Sequence, residues 1–318
     1  MRIVFYGTPH FAVATLRAIH HEGYDIAGVV TAPDKPAGRG RKIKTSPVKD
    51  YAVEHGLPVW QPANLKSERF IHTLRKLNPE VQVVVAFRML PEVVWAMPPR
   101  GTFNIHASLL PQYRGAAPIN HAIINGEKET GVTSFFLQKE IDTGKIIARK
   151  KVPVSEEDNA GTLHDRLMTK GAHLAVETLK QIESGTVHQI PQETLIDENT
   201  PLKKAPKIFK NDCRIEWDQP VKRIYDFIRG LSPAPASFTY VSDNKGVEKM
   251  MKIFKASIRY KNNTYETKSL LTDGNSYLHV VCPDGCIAIE ELQMEGKKRM
   301  DVGSFLKGVP VDEKWVMK

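Results

Sequence analysis

Val81–Ala86, V-Q-V-V-V-A, constrains this chain more than any other stretch: it is of strand length, rich in β-branched apolar residues, and suited to a central strand of a parallel sheet covered on both faces. Its surroundings supply the cover. Residues 2 to 7 and Asp25 to Thr31 read as further apolar strands, and Leu57 to Trp60 as a short one. Between them lie helix patterns. Thr8-Pro9 reads as N-cap and first helical position of a helix closing at Gly23, Ser46-Pro47 opens another to about His55, and Ser67 caps a third through Leu77. Alternating strands and helices predict an α/β fold with a doubly wound, mostly parallel sheet, which binds ligands beyond the carboxyl ends of its strands.

The first strand-to-helix turn is Gly7-Thr8-Pro9, with one glycine. A dinucleotide pyrophosphate needs the G-x-G-x-x-G approach, so a nicotinamide dehydrogenase is disfavoured. The second strand is followed by Pro33 to Lys42, P-D-K-P-A-G-R-G-R-K, whose proline, glycine and charge predict an exposed loop without helix or strand. Long loops of this kind are often functional.

Asn104 and His106 stand two apart on a strand-like segment, so their side chains emerge on one face. An amide can hold a carbonyl oxygen, an imidazole titrates near neutrality, and a carboxylate can orient it; these are parts that acyl-group or proton transfer requires. The carboxylate candidate is Asp142 in Asp142-Thr143-Gly144. Neither a cysteine nor a serine nucleophile suggests itself.

The run Asn104 to Gly115, N-I-H-A-S-L-L-P-Q-Y-R-G, with the later Asp-Thr-Gly, resembles the signature of the folate-dependent formyltransferases. The resemblance implies a Rossmann-like formyltransferase domain, transfer of a formyl group from 10-formyltetrahydrofolate to an amine, and Asn104, His106 and Asp142 as the catalytic trio. It implies no metal. Ser108, Leu109, Leu110 and Pro111, with Arg88, Met89 and Leu90 after the central strand, match the positions expected to border the folate. Arg88 departs from the commoner pattern, which has glycine there, and that segment looks more like its counterpart in purine-pathway formyltransferases. Pro36-Ala37-Gly38-Arg39-Gly40 matches a loop of the members that act on methionyl-tRNA, as do Lys204 to Lys210 and Ile215-Glu216-Trp217. Initiator methionyl-tRNA is then the expected partner, held by Arg39, Arg41, Lys42, Lys204, Lys207 and Lys210. At Ala234 those members usually carry tryptophan. A formyltransferase acting on a sugar nucleotide or other small amine is the alternative within the reaction class. A catalytically silent tRNA-binding protein is the alternative outside it, though it leaves the recurrence of Asn, His and Asp together without a reason.

At 318 residues the chain exceeds the usual size of one compact domain. Residues 1–190 are expected to form the catalytic domain. The polar, proline-punctuated stretch at 191–206 reads as a linker, and residues 207–318 as a small β-barrel, oligonucleotide-binding-like by the same resemblance. Charge is local within a net +9: residues 35 to 49 hold six Lys or Arg and no acid, and residues 201 to 260 hold thirteen against six Asp or Glu. Two basic patches on a mildly acidic body suit a polyanionic partner. Three cysteines form no zinc pattern, and Cys282 to Cys286 reads as a hairpin. No apolar run reaches membrane-spanning length. A cytoplasmic monomer without a membrane anchor is therefore the expectation.

Overall fold

The computed structural model describes residues 1–37, 42–197, 199–242, 246–260, 265–312 and 315–318. In chain order the first half gives β1 (Arg2–Gly7), α1 (His10–His21), β2 (Asp25–Val30), β3 (Lys35–Ala37), β4 (Lys42–Lys44), α2 (Pro47–Glu54), β5 (Val59–Trp60), α3 (Glu68–Leu77), β6 (Val81–Val85), α4 (Glu92–Trp95), β7 (Thr102–His106), β8 (Arg114–Gly115), α5 (Pro118–Ile124), β9 (Glu129–Phe136) and β10 (Ile146–Pro153). The rest gives α6 (Ala160–Ser184), β11 (Lys204–Ala205), α7 (Val221–Leu231), β12 (Ser237–Ser242), β13 (Glu248–Arg259), β14 (Leu270–Thr272), β15 (Leu278–Cys282), β16 (Gly285–Met294), β17 (Met300–Asp301), α8 (Val302–Gly308) and β18 (Val316–Met317). Two compact units result. One comprises Met1–Pro118, Glu129–Pro153 and His164–Lys204; the other comprises Ile119–Lys128, Val154–Leu163 and Ala205–Lys318.

In the first unit, among the described residues, seven strands join in the order β10-β9-β7-β6-β1-β2-β5. From β7 to β5 the pairings are parallel, and β9 and β10 add an antiparallel edge. The apolar run at 81–85 is the fully buried β6 near the middle, as its composition requires. One face packs Val4, Tyr6, Val30 and Val84 against Phe70, Ile71 and Leu74 of the strongly amphipathic α3. The Tyr6 hydroxyl is buried there without a hydrogen-bond partner among the described residues, and burial pushes its pKa well up.

Helix α1 begins one residue later than expected: Pro9 stands at the cap position in extended conformation, and no side chain caps the helix. Thr8 is therefore not its N-cap. Ser67 precedes α3 without a side-chain cap bond, whereas Ser46 caps α2 by accepting from the Lys49 amide at 3.1 Å. Ser46 Oγ also shares a 2.7 Å bond with Thr31 Oγ1 in the core. Loss of both bonds in Ser46→Ala is expected to cost about 1–2 kcal/mol, measured by urea unfolding.

The stretch read as a loop contains an antiparallel pair, Lys35–Ala37 with Lys42–Lys44. A backbone ladder at a solvent-facing edge needs no apolar side chains, so composition was a poor guide. At its base, Lys49 pairs with Asp34, whose other oxygen accepts from Gln61 Nε2 at 2.7 Å. The Lys49 bond holds the Asp34 carboxyl below its usual range. One of the six cations counted in that window is thus already neutralised. Within the stretch read as a linker, Gln192 is fully buried, Lys203 N donates to Gln112 Oε1 at 2.8 Å, and Tyr113 N donates to Lys203 O at 2.7 Å.

In the second unit, among the described residues, a seven-stranded antiparallel sheet runs β14-β15-β16-β13-β12-β18, with β17 on β16. A bridge from Ser269, just before β14, to Val316 on β18 brings the ends together, so the sheet nearly closes. Its first strand begins at Ser237. Trp217, 1% exposed, centres the core with Ile253, Val280, Leu292 and Phe305, and its Nε1 donates to Thr239 Oγ1 at 3.0 Å. Cys282 and Gly285 close the expected β15–β16 hairpin, and burial pushes the Cys282 thiol up to about 12. Helix α7 explains why this unit recruits earlier segments. Arg229 pairs with buried Asp226 at 2.7 Å and donates to the carbonyls of Ser155 and Asp158, while Asn120 donates to Gly230 O at 2.8 Å.

Candidate active site

Strand β7 carries Asn104 and His106 to the carboxyl edge of the first unit's sheet. Parallel pairing sets Val84 beside Asn104, and antiparallel pairing sets Phe135 beside Asn104 and Thr133 beside His106. Alternation therefore keeps both polar side chains on one face. Asn104 is half-buried and His106 is 7% exposed.

The hydrogen bonds of His106 decide which nitrogen can work. Nε2 lies 2.9 Å from Tyr113 O. A carbonyl only accepts, so Nε2 carries the proton and Nδ1 is left to accept or deliver one. Nδ1 faces Asp142 Oδ2 at 3.9 Å, beyond a direct hydrogen bond but within ion-pair range once the ring is charged. Asp142, 12% exposed, sits at φ +56° and accepts the Gly115 amide on the same oxygen at 3.0 Å. An asparagine-type or aspartate residue tolerates that left-handed backbone better than most, so the turn and the carboxylate use one residue.

The loop after His106 is pinned from several sides. Thr133 Oγ1 donates to Ser108 O at 2.7 Å and accepts the Leu110 amide at 3.1 Å, and Arg149 donates to Leu110 O. Ser108 Oγ donates to Gln112 O at 2.7 Å. The Leu110 side chain is fully buried against Phe135 and Ile146, and Pro111 is buried as well. Of Ser108 to Pro111, expected to border the folate, Ser108, Leu110 and Pro111 are buried beneath the loop and Leu109 is part-exposed. Arg88, also expected there, donates to the carbonyls of Pro62 and Ala63 and covers the Phe87 ring at 5.7 Å. Its guanidinium ties the loop after β6 to its neighbour. Met89 stands 73% exposed, Leu90 is buried in the core, and Ala86 takes φ +47° where the strand ends. This loop therefore offers a ligand chiefly backbone groups and an exposed thioether.

Among the basic residues expected to meet RNA, Arg39 and Arg41 lie outside the described residues, as does the side chain of Lys42. Lys204 is exposed in the first unit, and Lys207 and Lys210 are exposed in the second. Lys207 Nζ lies 5.2 Å from the centre of the Phe209 ring, and Arg214 lies 5.8 Å from that of Tyr240. Among the described residues no group of three or more His, Cys, Asp or Glu could hold a metal, and no helix is long and apolar enough to cross a membrane.

Three contributors were not legible in the sequence. Arg114 lay within the run that carries the resemblance but was given no role, Thr133 had no local signal, and Gln192 fell in the stretch read as linker. Gln192 Nε2 donates to Asp142 O at 2.9 Å and Gly144 O at 2.8 Å. Its Oε1 accepts both Nε and Nη2 of Arg114, at 3.0 and 2.6 Å.

Residues 1–179 match the formyl transferase family and residues 207–310 match its C-terminal domain. A methionyl-tRNA formyltransferase of Bacteroides fragilis is 52% identical over 318 residues, covering 100% of this chain and 98% of that protein. One of Parabacteroides distasonis is 53% identical over 309 residues, covering 97% and 95%. Among solved structures, WlaRD, a sugar 3N-formyl transferase crystallised with dTDP and 5-N-formyl-THF, superposes with a TM-score of 0.64 at 19% identity, covering 94% of this chain and 99% of that one. HypX from Aquifex aeolicus in complex with tetrahydrofolic acid gives 0.60 at 20% identity over 98% of this chain and 48% of its own. Identities this low speak to the fold alone.

Proposed function

This chain belongs to the formyl transferase family, and from that premise we propose that it transfers a formyl group from 10-formyltetrahydrofolate to the α-amino group of methionine on initiator tRNA. The observation that carries the reading is the placement of Asn104, His106 and Asp142 within one unit, in a chain half identical along its whole length to relatives named methionyl-tRNA formyltransferase.

The methionyl amine attacks the formyl carbon, a C–N bond forms, and the carbonyl oxygen takes the charge. The Asn104 amide and the Nδ1–H of a protonated His106 are the donors for that oxyanion. Asp142 stabilises the imidazolium across the 3.9 Å gap. Collapse breaks the bond from the formyl carbon to N10 of the folate, which leaves with a proton while the amine loses one, so tetrahydrofolate and the formylated amine are the products. His106 moves protons through Nδ1, because Nε2 is held by Tyr113 O.

The basic residues Lys204, Lys207 and Lys210, with Arg39, Arg41 and Lys42 of the loop, serve as phosphate contacts in this reading. We assign tRNA holding chiefly to residues 207–318 and the chemistry to residues 1–190, with 191–206 between them. The full chain is the form to test, since a cut at residue 190 strips residues 119–128 of the Gly230 carbonyl and residues 154–163 of the Arg229 side chain that hold them.

The decisive assay compares formyl transfer to methionine-charged initiator tRNA, free methionine, and an amino-sugar nucleotide. Transfer confined to the charged tRNA is expected; preference for the sugar nucleotide would replace this reading with the alternative. Lys207→Ala and Lys210→Ala are each expected to weaken tRNA binding and to lower its log-log salt slope by about one, leaving the saturated rate unchanged. A titration series in salt measures this directly.

A further inference from the structure

We propose that Gln192 is a positioning residue for formyl transfer, holding the Asp142-Thr143-Gly144 turn so that the Asp142 carboxylate faces His106 Nδ1; this rests on the catalytic assignment above. Gln192 is separated from Asp142 by 50 residues and from Arg114 by 78, yet it is fully buried between them. Both hydrogens of its Nε2 are committed, one to Asp142 O and one to Gly144 O, and both acceptor sites of its Oε1 face the Arg114 fork. No other side chain of comparable shape meets that demand. Two carbonyls on one side require a double donor, and a guanidinium on the other requires an acceptor, so the amide has one possible orientation.

The consequence for the site follows from connectivity. Arg114 precedes Gly115, whose amide donates to Asp142 Oδ2 at 3.0 Å. Gln192 therefore grips both partners of that bond, the turn through its carbonyls and the loop through the neighbouring arginine. The turn's backbone at Asp142 is left-handed and costs energy to keep. Remove the amide, and the pieces are free to part. Gln192 touches neither reacting atom, so its influence reaches the chemistry only through Asp142.

The test uses the full chain in single-turnover formyl transfer from 10-formyltetrahydrofolate to charged initiator tRNA. Gln192→Met is expected to slow the step by at least about ten-fold, since displacement of a catalytic group by about 1 Å can cost on the order of 100-fold, with Kd for folate and tRNA within about two-fold of the parent. In an Asp142→Asn background the same change is expected to cost little, because the group it positions is already lost. Gln192→Glu supplies an independent readout. Its carboxylate still accepts from Arg114 but opposes the two carbonyls, so its rate relative to the parent is expected to rise as pH falls and the carboxyl gains a proton to donate. Should the methionine variant not fold, this pH-dependent ratio decides alone.

A rate within about two-fold of the parent for Gln192→Met, full multiplication of the two losses in the double variant, or a pH-independent ratio for Gln192→Glu overturns the proposal. A normal rate for Asp142→Asn alone instead overturns the catalytic assignment, so the two failures are distinguishable.

Discussion

Replacement of His106 by alanine is expected to slow formyl transfer by at least about 100-fold, the scale of a lost acid–base group, with little effect on folding. The ring is buried and hydrogen-bonds Tyr113 O, while its loop is pinned independently through Thr133, Arg149 and the Gln112–Lys203 contacts. Those bonds survive the substitution. The chemistry does not, because the Nδ1 proton and the imidazolium that Asp142 faces both vanish. Asp142→Asn is expected to fall to a similar degree by another route: its side-chain oxygen can still accept the Gly115 amide, but no negative charge stands opposite the ring. Single-turnover transfer at saturating folate and tRNA, beside circular dichroism, measures both. A near-normal rate in either folded variant would remove these residues from the mechanism.

Gly144→Ala is expected to cost stability and activity together. A Cβ built at Gly144 lies 1.7 Å from the carbonyl oxygen of Phe136 and 3.3 Å from the Phe135 ring. No rotation relieves a clash between backbone and Cβ. The turn must therefore move away from β9, at a cost of about 3 kcal/mol by the scale of overpacked interiors. Moving it carries Asp142 with it, and misplacement by about 1 Å costs on the order of 100-fold in rate. Gly308→Ala is the control: nothing among the described residues lies within 4 Å of its added methyl, so both quantities should stay close to the parent. Denaturant unfolding and single-turnover rates of the two variants give the comparison. Equal behaviour would mean that the Asp-Thr-Gly turn is more pliable than its packing requires.

The need for glycine at this position was half legible. The Asp-Thr-Gly sequence marked a turn, but the demand for a missing side chain comes from the Phe136 carbonyl, which belongs to a strand the local pattern does not reveal as its neighbour. Arg88 shows the same division. Its departure from glycine was visible, whereas its use, tying down the carbonyls of Pro62 and Ala63, depends on a loop 25 residues earlier.

Periodicity by itself determined the doubly wound sheet, the central place of Val81–Val85 and the shared face of Asn104 and His106, because alternation and apolar runs are local properties that burial enforces wherever the strand lies. The tertiary structure alone decided which imidazole nitrogen is held by a backbone carbonyl, since that depends on where Tyr113 O falls. It also decided that Lys49 is spent on Asp34, that residues 119–128 and 154–163 join the second unit through Asn120 and Arg229, and that Gln192 bonds the carbonyls of Asp142 and Gly144. In each case the deciding partner is a backbone carbonyl or a side chain distant in sequence. Such groups carry no local pattern, and only the folded chain brings them within hydrogen-bonding distance.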